Sequence, residues 1–544
     1  MFMRRSTQKR ADGSLLQHYQ LIESVWNREK KRSEPKIIYN FGRVDDPETV
    51  QRLRKLAKSI LRRVSPDEIV AEHPEWRVTD AWVYGDLYVL EQLWRRAGLA
   101  EVINRLAAEA HLSYPVERAL FAMVANRATA PVSKLSCWER WLQDEVRIEG
   151  AGDLELHHLY RAMDFLQAHK EQIEEEIFFR VADLFNVEVD LLFYDTTSLY
   201  FEIDDEDRPG LRRRGYSKDG RGDAPQIVVG MAVTRDGFPV RHWVFPGNTV
   251  DVTTVKTVKE DLKGWHLSRC VFVGDAGMVS AENLRRLSAA GGRYIVGMPV
   301  HRGGQVSEEV MTRPGRFRQV AANLRVKEVV VGDGERRRRY VLCFNSEEAE
   351  RQRRHREELL NELDAELESL GQVGGKEHSK RVCALVTSKR FGRYLARTRG
   401  GKIVISRRKI REAEKRDGKW VVHTNDDTLS AEDMALGYKQ LMRVEEAWRQ
   451  LKTGLAVRPV YHWAEHRIQA HVAISVLALL LERMAEVACE DTWRNIRHDL
   501  RRVKLAQLSS PNGTIWQVTE PPSKTRKRLR DMKIDNPPLL LDHA

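Results

Sequence analysis

The 544-residue sequence is poor in cysteine, and its five cysteines, Cys137, Cys270, Cys343, Cys383 and Cys489, include no CxxC pair. That excludes a zinc knuckle and a disulfide framework, and the five read as reduced thiols of a cytoplasmic protein. Long apolar runs are missing as well. The longest, Val472 to Leu481, is about half the ~20 residues a membrane-spanning helix needs, and the opening MFMRRSTQKRADG lacks the apolar core of a signal peptide. No GxxxxGK[ST] loop occurs, which argues against a nucleoside triphosphate as partner. No internal repeat or long low-complexity tract is present. The expectation is a soluble chain with no membrane partner.

What the chain has in excess is positive charge. Lys and Arg outnumber Asp and Glu by 91 to 79, and the pI is near 9.4. A basic balance points to a polyanionic partner such as DNA, RNA or an anionic membrane surface, without choosing among them. The length allows more than one core, so two or three domains are expected.

Along the chain, residues 1–110 open with two alternating runs, His18 to Val25 and Lys36 to Phe41, flanking the basic turn Asn27 to Pro35, which predicts a β-hairpin. From Asp46 to about Ala110 the pattern turns helical; Leu53, Leu56, Ile60 and Leu61 line one stripe opposite Arg and Lys, which suits contact with a DNA backbone or a solvated charged face. Residues 111–186 read as a helical linker. Residues 187–291 carry short β-branched strands at Val187 to Tyr194, Gln226 to Val233, Pro239 to Phe245 and Cys270 to Val273, the pattern of an α/β core. Residues 292–428 read as an insertion of mixed character with a highly charged helix from Glu347 to Leu370. Residues 429–490 return to helix, and 491–544 form a basic, Pro-rich tail expected to be a flexible or DNA-touching arm.

Two aspartates end apolar strands: Asp195 in LLFYDTTSLYF and Asp275 in CVFVGDAGM. Ligands gather at strand C-termini in α/β sheets, and a carboxylate held on a rigid strand yet facing a cleft suits a hard divalent cation. A third carboxylate, Glu445, lies in YKQLMRVEEAWRQLK. There Tyr438, Trp448, Arg449 and Lys452 fall at helical offsets that share its face, giving cations for phosphate and aromatics for an unpaired base. Glu446 is the alternative carboxylate, about 100° round the helix.

These segments together resemble the DDE transposases of bacterial insertion sequences. Their glutamate helix reads Tyr, two residues, Arg, three residues, Glu, six residues, Lys. Tyr438, Glu445 and Lys452 match; Leu441 stands where the family has Arg, and Arg443 comes two places later. The blocks FYDTTSLYFE, GYSKDGR, PGNTVD and VFVGDAGMVS, with the N-terminal hairpin and YNFGR, are similar to the 1634-like branch of the fourth insertion-sequence superfamily, in order over roughly residues 15 to 485. The resemblance implies an RNase H-like catalytic core and a catalytic and metal-binding triad of Asp195, Asp275 and Glu445. It further implies two Mg²⁺ ions per site, with Mn²⁺ as substitute, and double-stranded DNA, both terminal inverted repeats and target, bound by a homodimer. Tyr438, Trp448, Arg449 and Lys452 would then touch DNA, and Trp420 could hold a flipped base or, more simply, fill a core.

Other carboxylates, Asp251, Asp223 and the cluster Asp204 to Asp207, read as solvated loop residues. His462, Glu465 and His466 spell the HxxEH of an inverted zinc protease, a five-residue match that chance supplies easily. The remaining rivals are a structure-specific nuclease on the same fold and a non-catalytic DNA-binding protein.

Overall fold

The computed structural model describes residues 1–10, 14–61, 63, 77–187, 190–265, 270–300, 306–334, 337–372, 374–511 and 513–541. The chain divides into two compact units, Met1–Ala81 with Leu505–Thr519 and Pro538–Ala544, and Trp82–Lys504 with Glu520–Pro537.

In the first unit β1 (Phe2–Lys9), β2 (Leu15–Asn27) and β3 (Arg32–Arg43) form an antiparallel sheet in that order. Asn27 Oδ1 closes the basic turn between β2 and β3 by accepting the amides of Glu29 (3.0 Å) and Lys30 (3.1 Å). The helix Pro47–Leu61 follows. It does not run on to Ala110. Residues 64–76 of that expected helical stretch lie outside the described residues, and β4 (Arg77–Val83) is a strand, because RVTDAWV is rich in β-branched residues without helical period.

The second unit is built on a sheet whose centre is β5 (Leu191–Tyr200), β6 (Gln226–Val233), β7 (Pro239–Pro246), β8 (Val271–Gly274) and β9 (Arg293–Met298). Of the strand expected from Val187, residues 188–189 lie outside the described residues. β5 and β6, and β6 and β7, pair antiparallel, whereas β5 and β8, and β8 and β9, run parallel. Past β9 the sheet continues with β10 (Arg318–Ala321), β11 (Leu324–Val331) and β12 (Arg338–Asn345). A lobe of helices Ser346–Leu370, Gly375–Thr387 and Arg407–Glu414, with the hairpin of β13 (Leu395–Arg397) and β14 (Ile403–Ile405), encloses its own core of Leu359, Leu363, Tyr394 and Ile403. β15 (Lys419–Thr424) then returns antiparallel to β9, so the nine strands lie in the order β10-β11-β12-β15-β9-β8-β5-β6-β7. The segment read as an insertion from residue 292 therefore begins with a strand of the central sheet. Tyr294, Ile295 and Val296 are buried on both faces and cannot stand outside it.

Helices cover both faces. On one, Val116–Thr129, Leu156–Ala168 and the 25-residue Glu465–Cys489 share a core with Phe193, Val273 and Ile295. On the other, Asp251–Lys263 and Ala281–Ser288 cover Leu192, Tyr194 and Phe272. Each such fully buried side chain contributes ~1.5–3 kcal/mol. Glu465–Cys489 is apolar on nearly every side because it is enclosed in the core; among the described residues no helix is long and apolar enough to cross a membrane.

The basic C-terminal stretch is folded rather than a flexible arm. β16 (Lys504–Ser510), β17 (Gly513–Val518) and β18 (Leu540–Leu541) form a sheet with β4 in the order β18-β17-β16-β4. The helix Ser523–Asp531 belongs to the second unit, where Thr525, Leu529 and Met532, at helical spacing, are buried and Arg528 binds Asp499 at 3.1 Å.

Candidate active site

β5 and β8 pair in parallel with Leu191 opposite Val271 and Tyr194 opposite Gly274. The next residue on each chain is Asp195 and Asp275. Side chains alternate along a strand, so Asp195 shares the face of Phe193 and Asp275 that of Val273; both residues of that pair belong to one core. The two carboxylates therefore leave neighbouring strands, about 4.8 Å apart, toward one side of the sheet. Val444, Ala447 and Trp448 from the glutamate segment pack into the core of that same side.

Asp195 has a side chain 18% exposed. Burial pushes its carboxyl up to about 6; Lys218 and the Thr196 amide oppose this, and the charges of Asp275 and Asp251 add to it. For an acid with a folded pKa above its ordinary 3.8, the ionised form is disfavoured by folding. Its contribution to stability is complete below pH ~4 and is lost as pH rises through ~6. Asp195→Asn is therefore expected to melt higher than the parent in EDTA at pH 7.5, by up to about 3 kcal/mol, and to match it at pH 4. Equal thermal midpoints at pH 7.5 would show that Asp195 is not strained by its site.

The Tyr438 hydroxyl donates to Asp275 Oδ1 at 3.1 Å. Burial, then the charge of Asp275 and its hydrogen bond, and last the charge of Glu445, keep that hydroxyl protonated. Gly297 on β9 makes the approach possible, since a Cβ there would lie 2.2 Å from Tyr438 Oη.

The stretch read as one helix is in fact two, Ala431–Lys439 and Met442–Arg449, followed by wider helical turns over Gln450–Gly454. At the junction Leu441 N bonds Tyr438 O (3.0 Å) and Arg443 N bonds Gln440 O (2.8 Å), a tightened turn that shifts the register of the two faces. Leu441 is buried there. Glu445 is exposed, while Glu446 pairs with Arg443 at 3.1 Å. Trp448, expected to stack on a base, is 6% exposed and packs in the core. Arg449 is exposed. Lys452 Nζ lies 2.9 Å from Asp219, which Arg458 also binds. Trp420 is half-buried on β15 and packs against the main core.

The structure thus brings Asp195, Asp275 and Tyr438 to one side of the sheet, and Glu445 stands on the helix Met442–Arg449, whose Val444, Ala447 and Trp448 pack into the core of that side. Among the described residues no group of three or more His, Cys, Asp or Glu is spaced to hold a metal ion. The HxxEH residues are dispersed in use: His462 packs against Tyr160 and His471, Glu465 accepts the Leu211 amide at 3.0 Å, and His466 faces Asp164.

Sequence reasoning missed Lys218 and set Asp251 aside as a solvated loop residue, whereas Asp251 opens a helix and is engaged by Lys218 and Thr196. Lys218 Nζ is 3.6 Å from Asp195 Oδ1 and 3.2 Å from Asp251 Oδ2, and Thr196 Oγ1 donates to Asp251 Oδ1 at 2.5 Å. The signal was present, since Lys218 and Asp251 lie in the GYSKDGR and PGNTVD blocks.

The Transposase DDE domain matches residues 205–481, just over half the chain and including Asp275 and Glu445, while the match begins after Asp195. The N-terminal domain of IS1634 family transposases matches residues 3–71. The chain belongs to the DDE transposases, in their IS1634 branch. No curated protein matches it. Among solved structures, the cryo-EM structure of a piggyBac transposase synaptic complex with hairpin DNA matches at TM-score 0.34 and 9% identity, covering 76% of this chain and 78% of that one.

Proposed function

We propose that this transposase binds the terminal repeats of its own insertion sequence, cleaves there to free 3′-OH groups and joins them to target DNA at one site made by Asp195, Asp275 and Glu445. The observation that carries the reading is the in-register pair of aspartates on the face where the glutamate segment packs. The order β7-β6-β5-β8-β9, three antiparallel strands continued by two parallel ones, supports an RNase H-like core.

The donor types, though not the present spacing of the three carboxylates, suit Mg²⁺, with Mn²⁺ as substitute. They are carboxylate oxygens, and the burial and crowding that raise Asp195 mark a place where added positive charge is favourable. Asp195, Asp275 and Glu445 would hold two ions, which supply an activated oxygen nucleophile and stabilise the leaving 3′ oxygen. Tyr438 fixes the orientation of Asp275 through its hydrogen bond. Lys452 and Arg449 meet the phosphate backbone, a contact that positions the strand without reading its sequence. Water is the nucleophile in the first step and the freed 3′-OH in the second. Two DNA ends call for a homodimer.

The test is a labelled duplex bearing the element's terminal repeat, incubated with target DNA and Mg²⁺ or Mn²⁺. Expected are nicks that leave 3′-OH ends, followed by joined products. Cutting without joining would replace the reading by that of a nuclease, and binding with neither step by that of a non-catalytic DNA-binding protein.

A further inference from the structure

Lys452 is already engaged in the DNA-free chain. Its ammonium and the Arg458 guanidinium converge on one carboxylate, Asp219, and the three side chains are 14%, 26% and 14% exposed for Lys452, Arg458 and Asp219. Arg458 also lies over the Tyr200 ring at 5.1 Å, five residues past Asp195 on β5. We propose that Lys452 and Arg458 form a seat for one DNA backbone phosphate, and that Asp219 occupies this seat until DNA displaces it. The inference rests on the reading of the chain as a DNA-cutting enzyme.

Two cations on a single carboxylate leave a surplus positive charge, and a phosphate diester matches that carboxylate in charge and in paired acceptor oxygens. The residue before Asp219 adds the second argument. Lys218 Nζ reaches Asp195 and Asp251 and also donates to the Thr196 carbonyl at 2.6 Å. One turn thus offers a cation to the acidic half of the site and an anion to the basic half, the same charge pattern a DNA strand and its counterions would bring. The turn is held to its surroundings by the Lys218 amide on Ser198 Oγ at 2.8 Å, by Gln226 Nε2 donating to the Tyr216 carbonyl at 3.0 Å and by Arg221 facing Glu202 at 3.4 Å, while a Cβ at Gly220 or Gly222, just beyond Asp219, would meet nothing within 4 Å, so the backbone there has room. A displacement of this one turn opens both halves together.

The experiment is anisotropy of a fluorescein-labelled duplex of the terminal repeat, titrated with full-length protein in EDTA so that no cleavage intervenes. Asp219→Asn should bind about tenfold more tightly than the parent with an unchanged log–log salt slope, because the same phosphate is seated in both complexes and only the cost of displacing Asp219 is removed. Adding Arg458→Gln to Asp219→Asn should remove that gain, because the two changes act on one seat. Should Asp219→Asn fold poorly, the unmodified chain still decides: amide hydrogen exchange across residues 215–222 should rise when duplex is added, and unchanged or reduced exchange overturns the displacement. If the parent binds duplex and a folded Asp219→Asn binds equally or more weakly, the seat is refuted while the transposase reading stands. If neither protein binds duplex, the DNA reading itself fails and the seat with it.

Discussion

Asp195→Ala, Asp275→Ala and Glu445→Ala are each expected to lower end cleavage by at least ~10³-fold, and pairs of these changes should cost little more than one. Residues that hold the same ions act as a unit, so the first removal already forfeits the nucleophile. Duplex binding in EDTA should survive, because it depends on cations such as Lys452 and Arg449 rather than on carboxylates. Gel analysis of cleaved ends beside anisotropy separates the two effects. Glu446→Ala provides the internal control: Glu446 is tied to Arg443 at 3.1 Å, and its loss should leave cleavage near the parent rate. A cutting Glu445→Ala together with a dead Glu446→Ala would transfer the ligand role to Glu446.

A large effect is also expected from a residue that takes no part in chemistry. Gly297→Ala would set a methyl group 2.2 Å from Tyr438 Oη and 2.8 Å from its Cζ, so the tyrosine must leave its place beside Asp275. Overpacking of this kind costs about 1–3 kcal/mol. With Tyr438 displaced, the Asp275 carboxylate loses the hydroxyl that donates to it, and cleavage should fall by roughly the 10²-fold that misplacing a positioned group can cost. The cost should vanish in a Tyr438→Ala background, where a double-mutant cycle of thermal midpoints would show strong coupling. Additive losses would mean that Gly297 serves the strand alone.

Part of the site was legible because an apolar run closed by an acid marks a buried strand: LLFY before Asp195 and CVFV before Asp275 lie in adjacent parallel strands. Only Asp275 follows the end of its strand, however; the strand expected to stop at Asp195 runs on to Tyr200, because TTSLY continues the β-branched and apolar pattern and pairs with β6. Less legible was whatever depends on convergence in space. Lys218 and Asp219 come from a loop and Asp251 from the first turn of a helix, where acids and bases look solvated in sequence, and only the fold turns them toward Asp195 and Lys452. Gly297 did carry a signal: a glycine inside the apolar run RYIVGM marks a close approach of another group. Helical period misled at the glutamate segment, where a tightened turn at Gln440–Leu441 interrupts what reads as one face. It misled again beyond Asp46, where Arg77–Val83 pairs as a strand, since β structure is set by partners distant in the chain, here β16.

The pairing of Tyr194 with Gly274 has a consequence for how such a site tolerates change over time. Stretches between β5 and β8 other than those that carry Lys218, Asp219 and Asp251 can lengthen or shorten with little penalty, since chain closure grows costly only slowly with length. Within β8 itself the tolerance ends. Inserting or deleting one residue there would rotate Asp275 to the opposite face and present Gly274 or Ala276 instead. The number of residues between the two aspartates is thus incidental, while their phase on the strands is fixed, and it is in phase rather than in spacing that lineages of this chain are bound to agree.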